Sequence, residues 1–134
     1  MAYYGFADGA SRRTRNLASA NWVVYSPSGE LTILGARCLG SATNNVAEYH
    51  AAIGLMTEAL SSGITHLIVH LDSHLVVSQL NGIYSIRDPS LLHLFRRVHL
   101  LERSFIYIDY RYVPRRFNTV VDSLANFSVF FYKL

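Results

Sequence analysis

Hydrophobic periodicity changes once along this chain, and that change limits the available folds more than any other feature. In the first forty residues the apolar positions form short blocks separated by turn signals. Tyr3 to Ala7 is an aromatic run that ends at Asp8-Gly9. Ala20 to Tyr25 and Leu31 to Arg37 flank Ser26-Pro27-Ser28-Gly29, which reads as a hairpin turn. After that, Val46, Tyr49, Ile53, Met56 and Leu60 recur at helical spacing, and Gly63 stops the run. His66 to Leu71 is a short apolar strand, and Ser73 to Asn81 reads as a helix ending before Gly82. Pro89 opens a further helical segment, Ser90 to Ser104, with Leu91, Leu94, Phe95, Val98 and Leu101 on one stripe. Phe105 to Val113 is rich in Ile and Tyr and reads as a strand that Pro114 breaks. From Thr119 onward, Val121, Leu124, Ala125, Phe127 and Phe130 spell a closing amphipathic helix.

The order is therefore β-β-β-α-β-α-α-β-α. It predicts an α/β fold with one mixed five-stranded sheet, three antiparallel strands followed by parallel crossovers, and helices on both faces. In sheets of this kind, ligands gather where strand C-termini and helix N-termini meet. No linker or repeat divides the 134 residues, so residues 1–134 read as a single domain.

Composition narrows the class further. Apolar residues make up 51% and charged residues 16%, which excludes a disordered chain. No apolar stretch approaches the roughly 20 residues needed to cross a bilayer, and the N-terminus lacks a basic segment followed by an apolar one. Cys38, the lone cysteine, has no internal partner, as expected in a reducing compartment. The expectation is a cytoplasmic, membrane-free monomer. The net charge is +3, and every basic residue except Lys133 is Arg, whose planar fork of donors suits phosphate.

Four carboxylates stand at positions where chemistry could gather. Singly, each has a plain structural explanation. Asp8 before Gly9 reads as an Asx turn, and Asn45-x-x-Glu48 reads as a capping box. Asp72 reads as an N-cap, and Thr119-x-x-Asp122 as a second capping box. Together they read differently, because strand ends and helix starts of this topology can share one sheet edge. Four acids in one pocket repel one another unless a cation neutralises them, and hard oxygen donors favour Mg²⁺ or Mn²⁺. Two such ions about 4 Å apart would suit in-line phosphodiester chemistry.

Four stretches bear a family likeness: Phe6-Ala7-Asp8-Gly9-Ala10-Ser11, Thr43-Asn44-Asn45-Val46-Ala47-Glu48-Tyr49, Leu71-Asp72-Ser73 and Asn118-Thr119-Val120-Val121-Asp122-Ser123-Leu124-Ala125. With these in order from about Tyr3 to Phe127, the chain resembles type 1 ribonuclease H. The resemblance implies a ribonuclease H-like fold and endonucleolytic cleavage of the RNA strand of an RNA–DNA hybrid. It implies two Mg²⁺ ions, with Mn²⁺ as a substitute, held by Asp8, Glu48, Asp72 and Asp122. One ion would activate water, the other would stabilise the leaving 3′-oxygen, and the products would carry 5′-phosphate and 3′-hydroxyl ends. It also implies that Thr43 touches a DNA-strand phosphate while Asn44 and Asn45 reach the minor groove, where 2′-hydroxyls mark the hybrid.

The chain departs from the family in several places. Many members carry a His in the loop before the last helix; here that loop is Val113-Pro114-Arg115-Arg116-Phe117-Asn118. Either Arg115 or Arg116 takes its place, or both are solvated. Ile83 to Pro89 is short and lacks the inserted basic helix of some relatives. Ser11-Arg12-Arg13-Thr14-Arg15-Asn16 replaces a usually glycine-bearing loop, so Ser11, Arg12 and Arg13 are candidate phosphate contacts. His74 is expected as a polar contact at the groove rim, His70 as a strand residue, His50 as a helix-surface residue, and Arg96 and Arg97 as plain surface. Cys38 is expected just past a strand. Two other functions compete: a different nuclease or transferase on the same fold, and a non-catalytic hybrid-binding module. A domain derived from a retroelement is a further origin open to the sequence.

Overall fold

The structure is a computed structural model that describes residues 1–12 and 17–118. Five strands form one sheet in the order β3-β2-β1-β4-β5, with β1 at Tyr3–Arg12, β2 at Leu17–Tyr25, β3 at Leu31–Gly40, β4 at His66–Leu71 and β5 at Tyr107–Tyr112. β1 pairs antiparallel with β2 and β2 with β3; β4 runs parallel to both β1 and β5. The helices are α1, Asn44–Ser61, α2, His74–Leu80, and α3, Pro89–Glu102, and a short 3-10 helix follows at Arg115–Phe117. This is the mixed sheet the periodicity predicts. The closing helix expected from Thr119 onward, with Asp122 in it, lies outside the described residues.

α1 is the central helix. It packs on β1 and β2, and α3 packs on it. Its alanines let it come close to the sheet: Ala47, Ala51, Ala52 and Ala59 are fully buried beside Tyr49, Leu55 and Met56. The predicted stripe of Tyr49, Ile53 and Met56 is buried, with Val46 and Leu60 partly so. The small residues widen the buried face well beyond that stripe, so α1 is apolar over most of its circumference. Tyr49 sits at 0% exposure with its hydroxyl donating to Gln79 Oε1 at 2.7 Å, which joins α1 to α2 without leaving a buried polar atom unmet. α3 buries the Leu91, Leu94 and Val98 stripe, leaving Arg96 and Arg97 exposed as expected. No helix among the described residues is long and apolar enough to cross a membrane.

Several local expectations are corrected. Asp8-Gly9 is no turn: β1 continues to Arg12, and both residues pair with β2, at Asn21 and Ala20. The cross-strand ladder outweighs the turn preference of an Asp-Gly pair. For the same reason Ser11 and Arg12 extend a strand rather than open a loop, and Cys38 lies within β3 opposite Ser19. Asn45 does not cap α1. Thr43 does, its Oγ1 accepting from the Val46 N–H at 3.2 Å, which places Glu48 in the second turn. Ser73, not Asp72, caps α2, accepting from the Val76 N–H. Three carboxylates are thus released from the structural duties that would have explained them: Asp8 is in mid-strand, Glu48 is off the cap, and Asp72 is beside one.

Candidate active site

Strand register brings the first two acids together. β1 and β4 pair in parallel as far as Phe6↔His70. Asp8 lies two residues beyond Phe6 and Asp72 two beyond His70, so continuing that register by strand spacing of about 4.8 Å would set the two acids side by side. β4 has ended at Leu71, so Asp72 sits where the chain leaves the sheet for α2. Glu48 comes down from α1. Its Oε1 accepts the Gly9 backbone N–H at 2.7 Å. Gly9 is required here: a Cβ would overlap the backbone of Ala47 and Glu48.

The outcome is a close anionic cluster. Asp8, Glu48 and Asp72 each offer one carboxylate oxygen, and all three oxygens lie within 4.8 Å of one another. Asp8 is 1% exposed and Glu48 3%, and the Asp72 side chain is 4% exposed. Burial, reinforced by the charge of Asp72, pushes the Glu48 carboxyl up to about 8, although the Gly9 N–H pulls the other way. Glu48 Oε2 is buried and has no hydrogen-bond donor among the described residues. Such an oxygen, in a set of hard carboxylate donors, fits a divalent cation and makes a poor structural ion pair. Arg115 brings a counter-charge, but its Nε is 3.9 Å from Asp72 Oδ2 and its side chain is 69% exposed, so solvent screens it.

An open cleft of about 210 Å³ leads to the cluster, lined by Gly9, Asn44, Asn45, Glu48, Asp72, Ser73 and Arg115. Of the expected substrate contacts, the structure therefore brings Asn44, Asn45 and Arg115 beside the acids. Thr43 is exposed at the start of the same helix and serves as its cap. The Ser11 hydroxyl donates to Ala42 O at 2.6 Å, pinning β1 to the segment leading into α1. His74 is exposed, and its ring stacks on Tyr112 with centroids 3.5 Å apart and planes 15° apart. Tyr112 was not legible in the sequence as the partner of His74, because the two lie on different elements. His70 is a strand residue as expected, stacked on Phe6 and bonded through Nδ1 to Gly5 O. His50 is only partly exposed, and its Nδ1 is buried with no hydrogen-bond partner among the described residues, so it is less of a surface residue than its helical position implies. Arg13 and Asp122 lie outside the described residues, as does the Arg12 side chain.

Comparison with known proteins bears on this geometry. A family profile described as "Reverse transcriptase-like" matches residues 6–128. The crystal structure of RNase H1 from the halophilic archaeon Halobacterium salinarum superposes with a TM-score of 0.90 at 35% identity, covering 94% of this chain and 96% of that one. The chain belongs to the type 1 ribonuclease H family. The N-terminal RNase H domain of Rv2228c from Mycobacterium tuberculosis also superposes with a TM-score of 0.90, at 36% identity over 95% of this chain and 92% of that one. LC11-RNase H1, solved in complex with RNA/DNA hybrid, gives 0.89 at 25% identity, covering 95% and 96% of the two chains. Among curated sequences, the bifunctional protein Rv2228c is 38% identical over 121 residues, and Halobacterium ribonuclease HI is 36% identical over 123. The chain spans 33% of the length of the first and 62% of the second, while 90% and 92% of its own length are covered. Family membership thus agrees with a fold and an acid cluster reached independently from periodicity and register.

Proposed function

We propose that this chain is a metal-dependent ribonuclease H that hydrolyses the RNA strand of an RNA–DNA hybrid and leaves 5′-phosphate and 3′-hydroxyl ends. The observation that carries the reading is the convergence of Asp8, Glu48 and Asp72 within 4.8 Å at the foot of an open cleft. Binding alone gains nothing from buried negative charge turned towards phosphates, so the cluster favours hydrolysis over a passive hybrid-binding module. The three carboxylates, with Asp122 as the fourth expected ligand, would hold two divalent cations, Mg²⁺ or Mn²⁺. Bound there, the cations supply a water of lowered pKa and charge stabilisation for the leaving 3′-oxygen.

The remaining work falls to this chain's own residues. Gly9 holds Glu48 through its N–H and lets α1 approach β1 closely enough for the acids to meet. Asn44 and Asn45 line the cleft with amides that can both donate and accept, which suits 2′-hydroxyls and minor-groove base edges. Arg115 brings positive charge to the edge beside Asp72, where a substrate phosphate would approach. His74, stacked on Tyr112, follows the cleft-lining Ser73 at the start of α2, where it could meet a substrate passing that edge.

The test uses labelled RNA–DNA hybrid, duplex DNA and duplex RNA, each with Mg²⁺ or with EDTA. Cleavage confined to the RNA of the hybrid and abolished by EDTA is the expected result. Hybrid binding without cleavage would instead favour the passive module, and equal cleavage of duplex DNA a different nuclease on this fold.

A further inference from the structure

Asn118 directly follows the 3-10 helix at Arg115–Phe117, outside any regular element itself, yet it is 1% exposed. Its Nδ2 reaches Ala7 O at 3.2 Å and Asp72 Oδ2 at 3.4 Å. Ala7 directly precedes Asp8 on β1, and Asp72 directly follows β4. One side-chain amide therefore bridges the two strand paths that carry two of the acids. The amide has only one sensible orientation, because both neighbours are acceptors and an amide oxygen turned towards either would be repelled. Its Oδ1 is buried with no donor among the described residues, a cost that a purely space-filling residue would not incur.

We infer that Asn118 is a positioning residue for the cation site: its side-chain amide clamps the Asp72 carboxylate to the β1 backbone at Ala7 and so fixes the separation of Asp72 from Asp8. The inference rests on the metal-dependent reading proposed above. Asp72 needs such a clamp because it stands beyond the end of β4, where no strand ladder restrains it. Arg115 is a poor substitute, being longer, mostly exposed and 3.9 Å away. A neutral donor also restrains the carboxylate without cancelling the charge that attracts a cation. Donors of this kind orient metal ligands, and their loss typically weakens metal affinity or activity by about 10–100-fold.

The test compares wild type with Asn118→Ala and Asn118→Ser, the serine variant serving if the alanine variant folds poorly. Asn81→Ala is the control, because Asn81 Nδ2 makes a similar bond to Tyr110 O that ties α2 to β5. Mn²⁺ binding to each protein without nucleic acid is followed by electron paramagnetic resonance, and kcat and KM are measured on hybrid with saturating Mg²⁺. We expect the Asn118 variants to bind Mn²⁺ about tenfold more weakly or worse. Their kcat falls while KM for hybrid stays near wild type, and Asn81→Ala changes neither Mn²⁺ binding nor kcat. Mn²⁺ affinity within twofold of wild type in the folded Asn118 variants would overturn the inference and leave the proposed function standing. A wild-type chain that binds no Mn²⁺ would overturn the metal-dependent reading and this inference with it.

Discussion

The Gly9 N–H and Glu48 Oε1, 2.7 Å apart, tie the strand that carries Asp8 to the helix that carries Glu48. This bond uses one oxygen of a carboxylate that burial has already pushed up to about 8. It holds the acid in place while leaving Oε2 for another ligand. The contact works only because residue 9 has no side chain: the helix backbone at Ala47 and Glu48 occupies the space that a Cβ would need.

Gly9→Ala should therefore be damaging out of proportion to its size. The added methyl forces α1 away from β1, an overpacking strain of about 1–3 kcal/mol. It also moves Glu48 relative to Asp8. A lowered thermal midpoint together with near-complete loss of hybrid cleavage is expected. Wild-type cleavage rates in this variant would show that the close approach is dispensable.

Asp8→Asn and Asp72→Asn should abolish cleavage while leaving the metal-free protein as stable as wild type or more so. Each removes one charge from a buried like-charge cluster. Thermal melts in EDTA and cleavage assays in Mg²⁺ check the two halves separately. Retained cleavage would remove the mutated residue from the set of ligands.

Stability of the metal-free protein should depend on pH through Glu48. The folded-state value, about 8, lies above the ordinary 4.5, so the unfolded chain releases this proton first. The contribution of the group is fully present below about 4.5 and is lost as pH rises through about 8. Melting temperatures measured in EDTA from pH 5 to 8.5 should decline over that range, and Glu48→Gln should flatten the decline. Added Mg²⁺ should raise the wild-type midpoint most at the alkaline end, where the carboxylate is ionised and its repulsion is greatest. A decline that survives in Glu48→Gln would assign it to other groups.

Arg12 ends β1 beyond Asp8 and Arg13 follows it in sequence, and replacing both with Ala should weaken hybrid binding and reduce its salt dependence. Each lost phosphate contact lowers the slope of log affinity against log salt by up to about 0.9. Binding isotherms from 50 to 200 mM salt measure it. An unchanged slope would return these residues to the solvated surface.

Much of the architecture was readable before any coordinates. The β4 limits, His66–Leu71, coincide with the apolar run that marks them, and α1 follows from Val46, Tyr49, Ile53 and Met56 at helical spacing. Boundaries set by local chemistry alone were read less well. Asp8-Gly9 has the signature of a turn, but pairing with Asn21 and Ala20 holds it in a strand. Asn45-x-x-Glu48 has the signature of a capping box, but Thr43 takes the cap. In the first case a local preference of about a kilocalorie per mole yields to cross-strand pairing, and in the second to a competing cap two residues earlier in the chain.

Asp8, Glu48 and Asp72, which the structure brings together, were among the acids that short motifs singled out, whereas their supports were not singled out. Tyr112 under His74, Gly9 against the α1 backbone and Asn118 between Ala7 and Asp72 join residues distant in sequence. A single sequence carries no signal for such pairs, because nothing in their spacing links one partner to the other.

What the amino-acid order determined by itself is the succession of strands and helices and the identity of the chemically able side chains, since both are properties of short stretches of chain. Which oxygens meet, how deeply they are buried and what holds them were decided only when β1, β4 and α1 packed together. Electrostatic strain and hydrogen-bond restraint depend on distances of a few ångströms through space, and separation along the chain does not determine them.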